Sequence, residues 1–506
     1  MDGTKIWQEY EKGRDFLERE NLYSKCETCN NFINGEQWRG LKYGKEKPPQ
    51  LNILLPMMKS STSLVAQHVL NIQYTSLNFG KNRKLLLSVC ERLNENRAKL
   101  WESLKMDKII WDVLQDAYIC GDSFLYFFDD EKKEEGRILC EIIDTTNIIL
   151  GDEQQKDIQQ QPYILITSRK SLNEVKNMAR QFGVKEEDIS SITPDADRET
   201  KESGQKVTLI AKLYKKNGIV HITRSVKNVI IQKETAINDL KTYPIVKYTW
   251  KSCKGSARGV GDVWDKIPNQ ISINKALFRL EQAVKSAAYP VKIYRQNAIN
   301  QNQIAKLNQP GASIGLMGNA DSPVANVIGY MQPGAISPYA LTYWQELIRL
   351  TKELSGAGDN LENINPENAS GAAIQAALQT KLLNVNMQVT AFKQFAEDIA
   401  RVWFDMIVAY NPEGIVFHTD TENKNGEYSY TIPIELLKML DIEIKVDAVP
   451  SGQTYSAIKD AQLKDMLDTG KISFEEYVGA LSKDSTMPVD AFRKIAAKRK
   501  ETVYEM

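Results

Sequence analysis

The sequence predicts an α+β protein that is mainly helical. Two patterns and the chain length carry that prediction. Residues 84–120 place apolar side chains at helical steps, and the stretch after Gly371 runs to about Tyr410 without proline or glycine. Between Ser123 and Ile231 the pattern changes to short β-branched and aromatic runs bounded by turn residues, which read as strands. The chain has 506 residues, 42% hydrophobic and 26% charged, an ordinary core-forming composition that suggests roughly three domains.

Taken in order, Ile6, Tyr10, Phe16, Leu17 and Tyr23 recur at helical spacing, so Ile6 to Trp38 reads as helix, followed by the Asn34-Gly35 turn and a loop at Lys42 to Pro49. A second helix is predicted from about Leu54 through Leu70, with Pro56 in its first turn. Lys84 to Cys120 follows as a strongly helical stretch, with Leu86, Val89, Leu93, Val113 and Leu114 supplying core-facing surface. Strands are predicted at Ser123 to Phe128, Ile138 to Ile143, Pro162 to Thr167, Val207 to Tyr214, Gly218 to Thr223 and Val226 to Ile231. Asp129 to Glu135 reads as a solvated hairpin tip, Ser171 to Phe182 as a short helix, and Thr193 to Gln205 as a loop.

Gly259-Val260-Gly261-Asp262 opens a helical pattern that extends to about Tyr289. Pro290 to Gly334 is rich in Asn, Gln, Gly and Pro and holds short strands such as Val291 to Tyr294. Ser337 is placed as an N-cap with Pro338 at the first helical position, and that helix runs to Ser355 with Leu341, Trp344, Leu347, Ile348, Thr351 and Leu354 on one stripe. Gly356 to Gly371 is a polar loop carrying Asn360, Asn363, Asn365 and Asn368. The following helix, of roughly 60 Å at 1.5 Å per residue, has polar positions such as Gln375, Gln379, Asn384 and Gln388. They suggest contact with other chains or water rather than burial. Ile415 to Val446 reads as strands around a short helix at Ile434 to Leu440, and the helical tail holds a capping-box spacing at Ser473 and Glu476 before the basic end Lys494 to Lys500.

Several function classes are excluded. Lys plus Arg and Asp plus Glu are both 65, so the formal net charge is zero and coating of nucleic acid by a broad basic surface is not expected. No apolar run reaches the about 20 residues of a membrane span, and the N-terminus leads into a charged amphipathic helix rather than a signal peptide, so a soluble protein of a cytoplasm-like compartment is expected. Six cysteines form no disulfide framework, and the single C-x-x-C, Cys26 and Cys29, lacks a second ligand pair for zinc. Phosphate-loop, dinucleotide, G-x-S-x-G and H-E-x-x-H motifs are absent, and the three histidines have no nearby Ser or Cys partner. Asp116, Asp122, Asp129 and Asp130 form the one imaginable metal-binding carboxylate group, beside which solvated surface carboxylates are the plainer account. No catalytic, cofactor or metal residue is assigned.

The order of helix, irregular insertion, second helix, polar loop and very long helix across Gly259 to Tyr410 resembles the portal proteins of tailed bacteriophages. The best local matches are Gly259-Val260-Gly261-Asp262, Ser370-Gly371-Ala372-Ala373-Ile374, Phe32-Ile33-Asn34-Gly35-Glu36-Gln37-Trp38 and Asp116-Ala117-Tyr118-Ile119-Cys120-Gly121-Asp122. The resemblance covers most of the chain. It implies a portal fold of wing, stem, clip and crown forming a ring around a central channel. On this sequence 1–258 would be wing, 259–289 the first stem helix, 290–336 the clip, 337–355 the second stem helix, 356–371 the tunnel loop, 372–411 the long helix, 412–450 further wing strands and 451–506 the crown. It also implies a ring of twelve at one capsid vertex of the virion, assembled in the host cytoplasm without a membrane. That ring would nucleate procapsid assembly with major capsid and scaffold proteins. It would conduct double-stranded DNA in packaging and ejection, and dock the terminase large subunit and then a head-completion adaptor. No cofactor is implied. Asn360, Asn363, Asn365 and Asn368 would face passing DNA, although plain turn chemistry also accounts for them. The competing readings are a nucleic-acid enzyme (a metal-dependent nuclease or packaging ATPase) or another virion adaptor protein.

Overall fold

The computed structural model describes residues 3–40, 48–76, 83–129, 138–195, 205–288, 291–304, 306, 311, 313–317, 327–331, 337–354, 383–411, 414–418, 429–438, 442–450, 460, 463–481 and 492. Helix α1 (Gly3–Arg19) stops where Asn21 takes a left-handed conformation (φ 56°), and α2 (Leu22–Ile33) follows, so the single helix expected over Ile6 to Trp38 is two. Helix α3 (Leu54–Ala66) also ends early. The residues predicted to continue it instead enter strand β1 (His68–Ser76), where Val69, Ile72, Tyr74 and Thr75 favour an extended chain once a partner strand is available. The predicted helix over Lys84 to Cys120 is likewise divided, into α4 (Arg83–Ser103) and α5 (Met106–Cys120), by Lys105 at φ 54°.

The strand-rich region contains β2 (Asp122–Asp129), β3 (Ile138–Ile143), β4 (Ile148–Leu150), β5 (Tyr163–Ser171), helices α6 (Leu172–Gln181) and α7 (Glu186–Ser190), then β6 (Lys206–Lys216), β7 (Ile219–Ser225), β8 (Ile230–Ala236) and β9 (Ile245–Thr249). Helix α8 (Ile267–Ala288), β10 (Val291–Tyr294), α9 (Gln301–Ile304), β11 (Ile328–Met331) and α10 (Pro338–Leu354) come next. The chain closes with α11 (Asn386–Tyr410), β12 (Ile415–His418), β13 (Ser429–Ile432), α12 (Ile434–Lys438), β14 (Ile442–Pro450) and α13 (Phe474–Ala480). The fold is α+β. It divides into two compact units. One comprises Met1–Asn30, Met58–Trp264 and Leu361–Met506, the other Asn31–Met57 and Asp265–Asn360.

In the first unit, β4 to β8 form a five-stranded antiparallel sheet in sequence order. Asn217 and Gly218, at φ 53° and 79°, make the tight β6–β7 turn, as an Asn-Gly pair between strands should. Alternation along β6 sends neighbouring side chains to opposite faces. Ile210 packs with Ile6 and Leu17 of α1, while Leu209 packs with Val175 and Ala179 of α6. The predicted helix at Ser171 is present, with Ser171 and Glu174 exchanging the two hydrogen bonds of a capping box. Three other sheets pair β3-β2-β9, β1-β14 and β12-β13. The β1–β14 ladder runs from His68↔Pro450 to Ser76↔Ile442, a pairing no local pattern announces.

Helix α11 contributes a long buried stripe to this unit's core. Phe392, Phe395, Ile399, Trp403 and Met406 are buried along one stripe, and Trp403 meets Trp101 and Phe127 edge-on at centroid distances of 6.1 and 6.0 Å. The expectation that the long helix faces other chains or water is thus corrected for one face of its described part, where Gln388 too is buried, while Asn384 and Asn386 are exposed as expected. Gln375 and Gln379, also behind that expectation, lie outside the described residues, as do residues 130–135 of the predicted Asp129–Glu135 tip, the loop 356–371 and the basic end at 494–500.

In the second unit, α8 packs against α10. Ile53, Met57 and Ile273 form its apolar cluster with Trp344, Leu347 and Ile348. Ser337 precedes α10 as predicted, yet the predicted stripe is only half covered: Thr351 is buried while Leu341 and Leu354 are 46% and 82% exposed. Strands β10 and β11 pair as a short antiparallel ribbon between the two helices in sequence.

Candidate functional site

Two of the sequence stretches singled out above, 116–122 and 259–262, meet in the first unit. Gly121 ends α5 at φ 104° and accepts a hydrogen bond from Trp250 N at 2.9 Å. A β-carbon built on Gly121 would lie 2.4 Å from the Gly259 carbonyl oxygen, and one on Gly261 would lie 2.4 Å from that of Ile119. Such approaches are closed to any residue with a side chain. The Asp122 carboxylate accepts from Gly259 N at 2.6 Å and from Thr249 Oγ1 at 2.7 Å. Asp262 N donates to Tyr118 O at 2.8 Å while the Asp262 carboxylate pairs with Lys251. Burial, then the nearby Asp262 carboxylate, pushes the Tyr118 hydroxyl well above its usual range, so it stays protonated.

Gly259 to Asp262 therefore does not open the helix, as its sequence suggests. It is a close-packed joint, and α8 begins at Ile267. Among the described residues no three His, Cys, Asp or Glu side chains are grouped to hold a metal ion, and Asp130 lies outside them.

Arg258 secures the same joint. It is 8% exposed and sends Nε and Nη2 to the two oxygens of Glu153, each at 2.9 Å, with further bonds from Nη2 to Ile148 O at 2.8 Å and from Nη1 to Thr145 O at 3.2 Å. The planar fork suits a carboxylate held edge-on, which an ammonium would not match. Beside it, Lys247 Nζ donates to Ala257 O at 2.5 Å, and burial lowers the pKa of that lysine.

The second unit has its own clasp, built from the stretch 32–38. Asn274 Nδ2 donates to Gln37 Oε1 at 2.6 Å, and Gln37 Nε2 donates to Phe32 O at 3.0 Å. Asn274 Oδ1 accepts from Leu51 N and Gln270 Nε2, and Gln270 Oε1 accepts from Ile53 N. Gln270 and Asn274 lie four residues apart on one face of α8 and are 0% and 2% exposed, so the strap 49–53 is hydrogen-bonded along the helix. Replacing Asn274 by alanine leaves the buried Gln37 Oε1 and the part-buried Leu51 N without these partners. The expected cost is about 2–3 kcal/mol, read from the denaturant midpoint, with hydrogen exchange at Leu51 and Ile53 rising first.

Each of these sites holds segments in place, and none gathers a nucleophile, a base and an open space for substrate. A comparison with protein-family models matches residues 8–505 to the phage P22-like portal protein family. The chain belongs to that family. A comparison with curated proteins finds no match. The portal family is structural rather than enzymatic, its members are oligomeric connectors, and the role places this portal protein in the virion capsid. No helix among its described residues is long and apolar enough to cross a membrane. The residues expected to face DNA, Asn360, Asn363, Asn365 and Asn368, lie outside the described residues.

Sequence reasoning missed Arg258, Gln270 and Asn274. A visible signal existed for the last two: an uncharged polar pair four apart flanking the buried Ile273 on the first turns of α8. It also missed a small polar cavity of about 120 Å³ in the first unit, lined by Lys156, Asp157, Thr242, Asp398 and Arg401. Burial raises the Asp398 carboxyl to about 6, with Glu397 and Asp157 adding to the rise while a bond from Gln394 and the charge of Arg401 oppose it. The folded state then binds this proton more tightly than the unfolded chain, so stability grows as pH falls from about 6 toward 4 and is lower above 6. Asp398→Asn is expected to be more stable than the parent at pH 7.5 by no more than about 3 kcal/mol. That difference should vanish near pH 4 in paired denaturant titrations; a constant difference at both pH values contradicts the assignment.

Proposed function

We propose that this portal protein assembles as a ring of twelve around a central channel. There it conducts double-stranded DNA during packaging and ejection, and nucleates procapsid assembly with capsid and scaffold proteins. The observation that carries the proposal is the family match over residues 8–505, nearly the whole chain. On this reading 1–258 and 412–450 make the wing, 259–289 and 337–355 the stem, 290–336 the clip, 356–371 the tunnel loop, 372–411 the long helix and 451–506 the crown. The clip docks the terminase large subunit and then a head-completion adaptor, and Asn360, Asn363, Asn365 and Asn368 face the DNA.

Two physical features support it. Tyr339, Tyr343 and Leu354 of α10 are 81%, 60% and 82% exposed in the single chain, and Val284 of α8 is 52% exposed. A closed ring turns such surface into interface. Zero formal net charge also suits a conduit, because many Lys/Arg–phosphate pairs would hold DNA where it must slide. Native mass spectrometry of the purified chain, with negative-stain images of the same sample, tests the reading. A mass near twelve subunits of 57.4 kDa and axial views with a central hole are expected. A chain that stays monomeric alone and in the presence of its scaffold protein overturns it.

A further inference from the structure

Helix α8 carries its buried residues, Ile267, Gln270, Ile273 and Asn274, on one side. The opposite side presents Ser272, Lys275, Arg279, Gln282 and Ser286, all of them exposed. Steps of three and four keep these five on a single stripe, which runs about 20 Å along the helix at 1.5 Å per residue. Every side chain of the stripe can donate a hydrogen bond, and none is acidic or apolar.

The positive charge of the stripe is not neutralised within the chain. Helix α8 has one carboxylate, Glu281, and Lys285 takes it at 3.0 Å, off the stripe. Among the described residues Lys275 and Arg279 form no ion pair. Like charges four apart destabilise a helix, so a stripe shaped for stability alone would carry a glutamate at one of the two positions. Helix α10, packed against α8 in the same unit, is arranged otherwise. Its Arg349 is held by both Glu346 and Glu353, and its exposed Tyr339, Tyr343, Leu350 and Leu354 are aromatic or aliphatic. Of the pair, α10 has the surface that suits a protein neighbour, and α8 has the surface that suits a polyanion.

We propose that the Ser272–Ser286 stripe of α8 contacts the phosphate backbone of double-stranded DNA, with Lys275 and Arg279 as its phosphate-pairing residues. The assignment rests on the ring proposed above. The Arg279 fork can take two phosphate oxygens, while Lys275 supplies a compact point charge. Ser272, Gln282 and Ser286 add neutral donors of the kind that position a backbone without reading bases. The number of charges matters as much as their sign. Two cations per protomer, repeated around a ring, offer the same contact at every rotational position of the duplex. The lack of a broader basic coat keeps the summed contact weak enough for DNA to slide.

The test uses the assembled full-length protein and a fluorescently labelled DNA duplex. The double variant Lys275→Gln with Arg279→Gln removes both charges at little cost in helix propensity. Native mass spectrometry should give it the same oligomer as the parent. Its DNA binding, read by anisotropy over a salt series, should be weaker, with a slope of log K against log salt shallower by at least about 0.9, the value of one phosphate contact. Arg349→Gln should leave that slope unchanged. Independently, a photoreactive benzoyl-phenylalanine in place of Gln282 should join the otherwise unaltered ring to the duplex on irradiation. A normal oligomer with an unmoved slope and no cross-link to DNA overturns the assignment and leaves the ring standing. Cross-linking of position 282 to a second protomer, with a double variant that fails to assemble, also overturns it, because the two cations then pair with a neighbour's carboxylates. A parent chain that never assembles overturns the ring and this assignment together.

Discussion

Replacing Arg258 by alanine is expected to destabilise the protein by about 3–5 kcal/mol, the range for removing one partner of a buried ion pair. The side chains of Arg258 and Glu153 are only 9% and 13% exposed. With the guanidinium gone, the largely buried Glu153 carboxylate is left without its partner, and the carbonyls of Thr145 and Ile148 lose their donors. The loss of the pair itself is the smaller part. That distinction is testable: Arg258→Met combined with Glu153→Leu removes both charges and should recover most of the stability that Arg258→Ala loses. Arg258→Lys should lie in between, since a point charge reaches one carboxylate oxygen but cannot serve both oxygens and two carbonyls. Equilibrium denaturation reads all four proteins, at one protomer concentration because assembly stabilises the folded chain by mass action. An Arg258→Ala variant within about 1 kcal/mol of the parent would mean that the cluster is screened by solvent in the manner of a surface pair.

The same cluster shows what sequence could reveal and what it could not. Short-range features were legible. The Ser473 capping box, the short helix from Ser171 and strands β5, β6 and β7 follow from residues within a few positions of one another. Strand β4 is not among those expected, and β8 spans Ile230–Ala236 rather than Val226–Ile231. The helix ends at Ala66 and Ser103 were not legible either. His68–Ser76 becomes a strand because Ile442–Pro450 pairs with it, and such a partner is invisible locally. The described part of α11 was misjudged for a different reason. Its polar residues sit beside a narrow stripe, Phe392, Phe395, Ile399, Trp403 and Met406, which three surrounding strands, β1, β9 and β14, cover.

The candidate sites divide the same way. The stretches 116–122, 259–262 and 32–38 stand out in the sequence, yet nothing local says that Asp122 and Gly259 touch across 137 positions. Asp122 looks like a candidate metal ligand by residue type alone. Its two oxygens are in fact occupied by Gly259 N and Thr249 Oγ1. These stretches carry the family resemblance without carrying chemistry, because a protein that must hold its segments through assembly needs fixed joints. Glycine where backbones cross, and a buried carboxylate to receive the amide, make such a joint.

Gly121→Ala tests that joint most sharply, with an expected loss of roughly 2–6 kcal/mol. Two independent penalties add. At φ 104° the backbone lies where a side chain is strained, at about 1–3 kcal/mol. The new methyl also meets the Gly259 carbonyl oxygen at 2.4 Å, its carbonyl carbon at 2.7 Å and Val260 N at 3.0 Å. Those are backbone atoms with no rotamer to yield, so the overpacking adds about 1–3 kcal/mol. Gly218→Ala is the matched control. Its φ is 79°, but nothing lies within 4 Å of the added carbon, so it should show the conformational penalty alone. Gly261→Ala is the converse control, with the crowding and without a positive φ. If backbone crossing is what the joint requires, Gly121→Ala should lose about as much as the two controls together, and hydrogen exchange at Gly259 and Trp250 should accelerate in Gly121→Ala and Gly261→Ala but not in Gly218→Ala. Equal losses at Gly121 and Gly218 would reduce the joint to an ordinary helix terminus.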